Sequence, residues 1–586
     1  MQKTEPSGHR TRASSDLGVD LAVTAGAGAG KTTVLVDRFV AIARDPNVGP
    51  DRILAITFTK KAATEMKERA IRQFEKSGET ALRRATEAAY ISTIHGFAER
   101  ILRERPFDAR IDPAFSVLTD YDKELWIEEA LREMYERDEL RALAPRLKKT
   151  FDGGWRVFEL VREVARLMRE GPKEARCEAD LVGDDDRCVE HALERARQTV
   201  NRAETDMLEC MRELQPMLDG ATFKSKGAKH KLWRAYVDAV GGCLEKKAAA
   251  ASEAWRATSF TSEIPLDERV PIRELLDRIK ELAPQATFSD WAAQEALERE
   301  LLPLKRAIYA AAAEMDRSYA QHKRTIGALD FHDLQLRAAA LLNDNPAVRD
   351  EYAERFRHIL LDESQDTDAL QYGIIESLRT PRNTLFMAGD PKQAIYEFRG
   401  ANPDVFHAAV AKLPPEDRLQ LPENFRSRSE IISMINGFGT PLLADQFVHI
   451  DACADYAGEE LAEPAVSVIY AEQRALDEGR KRYEPVSAAR PREAAAVAEE
   501  LVRLLRAAPR VRDPESREVT WVPLRPRHIA ILFRTRTAIP YFERALAERG
   551  VPYVTAAGQG FYERAEVLDC LMMLRAIAQP LDDLAM

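Results

Sequence analysis

At 586 residues, with 45% hydrophobic and 31% charged side chains, the chain can build several cores, and three or four domains are expected. A net charge of −11 argues against a general electrostatic grip on nucleic acid and leaves a local basic or aromatic groove as the route to such binding. Cys177, Cys188, Cys210, Cys243, Cys453 and Cys570 lie far apart without a C-x-x-C pair, which argues against a zinc, iron–sulfur or disulfide scaffold and for a reducing, cytoplasmic compartment. The polar start MQKTEPSGHRTRASSD and the lack of an apolar run of about 18 residues argue against secretion and membrane insertion.

In chain order, the first chemistry-bearing segment is Val23 to Thr33, VTAGAGAGKTT. A buried strand at Leu21 to Thr24 runs into a glycine-rich loop that opens a helix near Lys31. Such a loop turns successive backbone N–H groups toward an anion, and the helix N-terminus adds its positive end. Ala25, Gly26, Ala27, Gly28, Ala29, Gly30, Lys31, Thr32 and Thr33 therefore form a candidate phosphate cradle. Lys31 can reach the β- and γ-phosphates, and the Thr32 hydroxyl can ligate Mg²⁺. The first glycine of the usual G-x-x-x-x-G-K-[ST] pattern is Ala25 here.

A second buried strand is expected at Ile53 to Phe58 and helices at Lys31 to Arg44 and Lys61 to Lys76, a parallel α/β beginning. From about Gly96 to Thr325 the chain turns helical and charged, with helices expected at Lys123 to Arg137, Trp155 to Arg169, Val189 to Glu213 and Glu295 to Arg317. Strand signals return at His358 to Leu361 and Leu385 to Ala388. Beyond Ser427 the pattern predicts a helix at Glu430 to Phe438, a strand at Ala465 to Tyr470, a polar segment from Glu478 to Arg492, and a helix through Leu505. An exposed loop over Arg510 to Glu518 and a strand at Ile529 to Phe533 follow.

Ile359 to Asp368, ILLDESQDTD, places two acids at the C-terminal end of a buried strand, where ligands sit in open parallel sheets. Asp362 is suited to hold Mg²⁺, usually through water, and Glu363 to orient and deprotonate a water nucleophile.

Four further blocks join these two: AITFTKKAATEM at Ala55 to Met66, ISTIHGF at Ile91 to Phe97, MAGDPKQAIYEFRG at Met387 to Gly400, and LPENFRS at Leu421 to Ser427. In order and spacing the six blocks resemble the motifs of superfamily 1A DNA helicases of the UvrD/Rep type. The helical insertion, GALDFHDL at Gly327 to Leu334, and FYERAEVLDCLMMLRAIAQPLDD at Phe561 to Asp583 look most like the RecB/AddA branch, which processes broken DNA ends.

The resemblance implies a P-loop, RecA-like α/β motor: domain 1A over residues 1–95 and 326–426, a helical insertion 1B over 96–325, and a partial second α/β motor domain 2A over 427–586. It implies ATP and Mg²⁺ as cofactors, and 3′→5′ movement on single-stranded DNA coupled to unwinding of duplex ends. It implies that Gln393 senses the γ-phosphate, that Arg426 contacts it from across the cleft between the motor domains, and that Phe425 stacks on adenine. Phe58, Tyr396 and Phe398 fall where such motors stack bases, which suits a grip on any sequence because each base has a π-face. Lys61, Thr93, His95 and Arg399 fall where backbone or base would be touched.

Two departures from the family pattern carry expectations of their own. The stretch that would bear the adenine-reading glutamine, about two dozen residues before Lys31, reads PSGHRTRA. After Asp583 no block matches the later motor motifs, which include an arginine finger worth about 10³–10⁵-fold in related phosphoryl transfers. A helicase lacking 2B, the rest of 2A and a C-terminal nuclease is therefore expected. A fragment, a truncated gene and one component of a split enzyme remain open, with a second subunit completing the motor or supplying a nuclease. Weak hydrolysis by the chain alone is expected, and the alternative is a nucleotide-switched DNA-binding subunit that does not unwind.

Overall fold

A computed structural model describes residues 8–135, 157–170, 181, 183–220, 228–246, 255, 261, 266–396, 400–443, 447–454, 464–470, 475–477, 482–512, 520–555 and 565–578. The chain forms two compact units: Met1–Arg426 with Val448–Cys453, and Ser427–Phe447 with Ala454–Met586. No helix among the described residues is long and apolar enough to cross a membrane.

The first unit is built on a parallel sheet. Its strands in chain order are β1 (Leu21–Ala25), β2 (Ile53–Thr57) and β3 (Tyr90–Thr93). After the short strands β4 (Ser116–Val117) and β5 (Ala328–Leu329) come β6 (His358–Leu361), β7 (Thr384–Gly389) and β8 (Arg418–Leu421). The six-stranded order is β3-β2-β6-β7-β1-β8. Every neighbouring pair is parallel, which requires crossovers and covers both faces of the sheet.

That burial explains why β2 reads as an unbroken apolar run, ILAIT, buried throughout. Leu360 and Ala55 face one apolar cluster, with Phe39 and Phe74 from the covering helices Lys31–Ala43 and Lys60–Lys76. Leu54, Ile359 and Leu361 face the other, with Phe97, Tyr352 and Phe356. Phe97 comes from helix Ile94–Glu104, which belongs to this core.

The helical insertion leaves and rejoins the sheet core through the paired β4 and β5, Ser116 opposite Ala328 and Val117 opposite Leu329. Its described helices are Asp120–Tyr135, Val157–Glu170, Asp185–Gly220, Ala228–Lys246, Leu266–Ala286 and Trp291–Ile326. Met207, Met211, Leu214 and Leu218 recur every three or four residues and pack on Tyr236, Val240, Leu276 and Ile279. On the return helix Ile308, Ala312, Met315 and Tyr319 make a second stripe against Ile127, Val161 and Ala165.

At the insertion's root lies a buried charge cluster. Lys323 and Asp330 are 6% and 2% exposed, and Lys323 Nζ lies 2.9 Å from Asp330 Oδ2 and also contacts Asp333. The Tyr319 hydroxyl donates to Asp330 at 3.1 Å. Asp330 and Asp333 form a reciprocal capping box at the start of helix Phe331–Asp344. Burial pushes the Asp330 carboxyl up, but the Lys323 charge and the Asp333 backbone N–H outweigh it and hold the carboxyl well below its ordinary range.

The second unit has helices Ser429–Leu443, Val486–Ala507, Ile539–Glu548 and Ala565–Ala578. Several expectations are corrected here. Ala465 to Tyr470 is not a strand, and Val468 and Tyr470 are 86% and 80% exposed. Ile529 to Phe533 is not a strand either. Ile531 and Phe533 lean on the cluster of Ala494, Ala498, Phe542 and Leu546, and Leu532 is 92% exposed. Both runs have the composition of strands, but among the described residues neither has a hydrogen-bonded neighbour, and a strand exists only in a ladder. Part of the expected loop at Arg510 to Glu518 is instead a strand, Arg510–Arg512, antiparallel to Trp521–Pro523. The helix reaching Leu505 begins at Val486, inside the segment expected to be polar.

Candidate nucleotide site

The loop after β1 carries two left-handed glycines, one at its middle and one at its end. Gly28 and Gly30 have φ of 80° and 79°, where a side chain would be strained. Gly30 caps helix Lys31–Ala43 without a side-chain hydrogen bond, leaving the helix's first N–H groups facing the loop. Gly28 is also forced small by a close neighbour. A Cβ there would come within 2.7 Å of the Asn424 amide and 2.8 Å of Arg426 Cβ.

Segment Asn424–Arg426 is laced to the loop. The Asn424 amide donates to the Ala27 carbonyl at 2.7 Å, and the Phe425 backbone N–H donates to the Gly28 carbonyl at 2.9 Å. The Arg426 backbone N–H donates to Asn424 Oδ1 at 2.9 Å. Arg426 thus lies beside the loop within the same compact unit. The Phe425 ring remains 42% exposed.

Asp362 and Glu363 follow β6 directly. The Asp362 backbone N–H bonds the Ile56 carbonyl at 2.9 Å, prolonging the β2–β6 ladder. Glu363 then turns into the left-handed region at φ 49°, an uncommon conformation for a non-glycine residue. Glu363 Oε2 lies 3.0 Å from Lys31 Nζ, whose side chain is only 10% exposed. The two residues are 332 positions apart, and the parallel sheet brings them together at one edge. Burial pushes the Asp362 carboxyl up to about 6; the Glu363 charge adds to the rise and Lys31 opposes it. A desolvated carboxyl beside a second acid is a site whose charged form needs a cation, and carboxylate and hydroxyl oxygens such as those of Asp362 and Thr32 are the hard donors that Mg²⁺ takes.

Two residues that the motif reading did not single out join this edge to Gln393. Gln365 donates to Glu363 Oε2 at 2.8 Å and accepts from the Asp390 backbone N–H at 2.9 Å. Asp390 accepts from the Gln393 amide at 2.7 Å and pairs with Lys392 at 2.9 Å. Gln365 and Asp390 are 1% and 2% exposed. A continuous polar chain therefore runs Lys31, Glu363, Gln365, Asp390, Gln393. The signal was present in ESQD and GDPKQ, but pairing between two such loops is not readable from either.

The residues expected to meet nucleic acid are placed unequally. Phe58 and Tyr396 come together with ring centroids 4.7 Å apart at an interplanar angle of 40°. Lys61 is exposed in the first turn of helix Lys60–Lys76. Thr93 is 7% exposed, and its hydroxyl caps helix Ile94–Glu104 by accepting from the Gly96 N–H at 3.1 Å. The His95 Nε2 lies 2.6 Å from the Gln335 amide, and its ring meets the Phe331 edge. Phe398 and Arg399 lie outside the described residues.

Comparison with known families decides the assignment. The UvrD/REP helicase N-terminal domain matches residues 8–414, and the UvrD-like helicase C-terminal domain matches residues 419–586. The chain belongs to the UvrD/Rep helicase family. Within that family it is similar to an ATP-dependent helicase/nuclease subunit of Carboxydothermus hydrogenoformans, at 29% identity over 98% of this chain and 52% of that protein. The protein of the same name from Lactobacillus delbrueckii subsp. bulgaricus is 27% identical over 98% of this chain and 51% of its own length. The chain spans about half the length of the curated relatives it matches. Family membership agrees with a RecA-like parallel sheet carrying the candidate nucleotide site on its loop edge.

A third feature of this UvrD/Rep-family chain lies in the stretch PSGHRTRA, part of which forms helix Gly8–Ser15. The helix is fastened by Arg38, itself 0% exposed, which donates to the carbonyls of Ala13 and Asp16 at 2.9 and 2.7 Å and stacks over Phe386. Burial pulls the Arg38 guanidinium down to about 10, with the Asp16 and Asp20 charges opposing. Arg12 completes the attachment through the Asp417 carboxylate and the Glu416 carbonyl. The helix in turn holds Arg10 over the Phe425 ring, 4.9 Å from its centroid.

Proposed function

We propose that the chain is the motor of a DNA helicase, converting ATP hydrolysis into 3′→5′ movement on single-stranded DNA and separation of duplex ends. The observation that carries this reading is the Lys31–Glu363 apposition at 3.0 Å, on the same edge of the sheet as the glycine loop. Backbone N–H groups of the loop and the first turn of helix Lys31–Ala43 bind the phosphates. Lys31 neutralises the charge that develops on the transferred group. A phosphate that takes the Lys31 ammonium competes with Glu363 for it, and the carboxylate so released accepts the proton of the attacking water. Thr32 and Asp362 would hold Mg²⁺, which when bound neutralises phosphate charge. Gln393, reached from Glu363 through Gln365 and Asp390, reports the γ-phosphate, and Arg426 and Phe425 border the nucleotide.

The contact between Phe58 and Tyr396 supports a stacking grip for bases, and Lys61, Thr93, His95, Phe398 and Arg399 are assigned to the same DNA strand on their motif positions. A second polypeptide completing the motor or adding a nuclease is consistent with the relatives' name, which makes each of them one subunit of a helicase/nuclease.

Steady-state ATP hydrolysis by the purified chain, with and without single-stranded DNA, tests the reading. Stimulation by DNA, with turnover reduced by about 10²-fold or more in Lys31→Ala and in Glu363→Gln, is the expected result. Turnover indifferent to both substitutions would sink it. Nucleotide binding with negligible turnover would mean that the missing later motifs, or a second polypeptide carrying them, are needed to complete the site, or that the nucleotide only switches a DNA-binding protein.

A further inference from the structure

We propose that Arg10 makes this nucleotide site tolerant of the base, so that GTP binds about as well as ATP. The inference rests on the nucleotide reading of the glycine loop and goes beyond it to the base.

Three observations converge on one spot beside the loop. The Arg10 guanidinium lies over the half-exposed Phe425 ring at 4.9 Å. The same guanidinium donates to the Ala29 carbonyl, inside the glycine loop. It also packs against Gly30, where a Cβ would come within 3.3 Å of Arg10 Nη1. Phe425 is itself fixed to the loop by its backbone bond to Gly28. A flat cation and an aromatic face, both anchored to the phosphate loop, make a place for a flat heteroaromatic group whose phosphates occupy that loop. The anchoring is built in, because buried Arg38 holds the helix that carries Arg10.

The chemistry of that place decides which base it takes. A guanidinium has five donors and no acceptor. The Hoogsteen edge of adenine pairs one acceptor, N7, with one donor, the N6 amino group. The same edge of guanine offers two acceptors, N7 and O6, which an arginine can engage bidentately. Read at its edge, Arg10 can satisfy guanine twice but adenine once, with the N6 donor facing another donor. Used as a stacking face, it treats the two purines alike. In neither mode does it favour adenine, whereas a side-chain amide, with one donor and one acceptor, matches adenine's edge.

Equilibrium displacement of a fluorescent ATP analogue by ATPγS and by GTPγS, with Mg²⁺ and the purified 586-residue chain, tests the proposal. The affinities are expected to agree within about threefold, and Arg10→Gln is expected to shift the ratio about tenfold toward ATPγS. Arg10→Lys keeps the charge and removes the planar fork, and should weaken GTPγS at least as much as ATPγS. A wild-type preference for ATPγS of about tenfold or more overturns the proposal. So does an unchanged ratio in Arg10→Gln, or no loss of either nucleotide in Arg10→Lys, which would leave Arg10 a phosphate-side cation. If neither nucleotide displaces the probe, or Lys31→Ala binds as the parent does, the nucleotide reading of the loop fails as well. ATPγS binding alone removes only the inference about the base.

Discussion

The two units place similar apolar runs in opposite circumstances. In the first, β6 carries HILL between β2 and β7, and three of its four residues are buried. In the second, Ile529 to Phe533 reads IAILF, has no ladder partner among the described residues, and leaves Leu532 92% exposed. Apolar content is thus not what makes a strand. A strand needs neighbours that take up its N–H and C=O groups, and the crossovers of the first unit supply them on both sides.

The contrast can be broken where the first unit depends most on mutual partners. Lys323→Met would leave buried Asp330 and half-buried Asp333 without the ammonium they share, and a loss of about 3–5 kcal/mol is expected. Denaturant unfolding followed by a probe in the insertion's return helix checks this; a cost below about 1 kcal/mol would mean the cluster is a passive feature of the root. Leu360→Ala, in a side chain 1% exposed between two covered faces, should cost about 2–5 kcal/mol by the same measurement.

The parts of the site readable in the sequence are those in which chemistry prescribes neighbouring residue types. A phosphate loop needs glycines before Lys31, and a hydrolytic site needs acids at a strand's end, so Lys31, Asp362 and Glu363 announce themselves. The strands around them are equally legible, because sheets covered on both faces demand runs such as ILAIT. Gln365, Asp390, Arg38 and Arg10 are not legible in this way. Each acts through a partner brought close only by the fold: Gln365 through Asp390, Arg38 through the carbonyls of Ala13 and Asp16, and Arg10 through Phe425. The misread segments of the second unit fail for the complementary reason, since pairing, or its absence, is not a property of one run.

A smaller effect separates the sheet from the second unit by pH. His358 begins β6, with its Nδ1 2.8 Å from the Thr384 hydroxyl. Burial pulls the imidazole down to about 4; the Arg38 and Arg357 charges add to this, and Asp45 opposes it. The unfolded chain, with its histidine near the ordinary 6.5, therefore takes up the proton first. This contribution to stability is complete above about pH 6.5 and declines as the pH falls toward 4. His358→Gln should remove that part of the acid sensitivity, so the gap between variant and parent melting temperatures changes in the variant's favour from pH 7 to about pH 5. A gap that stays constant across this range would mean that His358 is protonated as readily folded as unfolded.

The smallest expected effect lies in the second unit. Leu532→Ser removes an apolar side chain already in water, between two residues, Ile531 and Phe533, that keep the segment on its helices. Little buried area is lost, so the stability should stay within about 0.5 kcal/mol of the parent, against the several expected for Leu360→Ala. The comparison is sharp because both substitutions shorten a leucine in an apolar run of strand-like composition. Equal costs at the two positions would mean that Leu532 is covered in the folded chain and that Ile529 to Phe533 has a neighbour after all. A near-zero cost at Leu532 beside a large one at Leu360 would assign the difference to pairing and coverage rather than to the residues themselves.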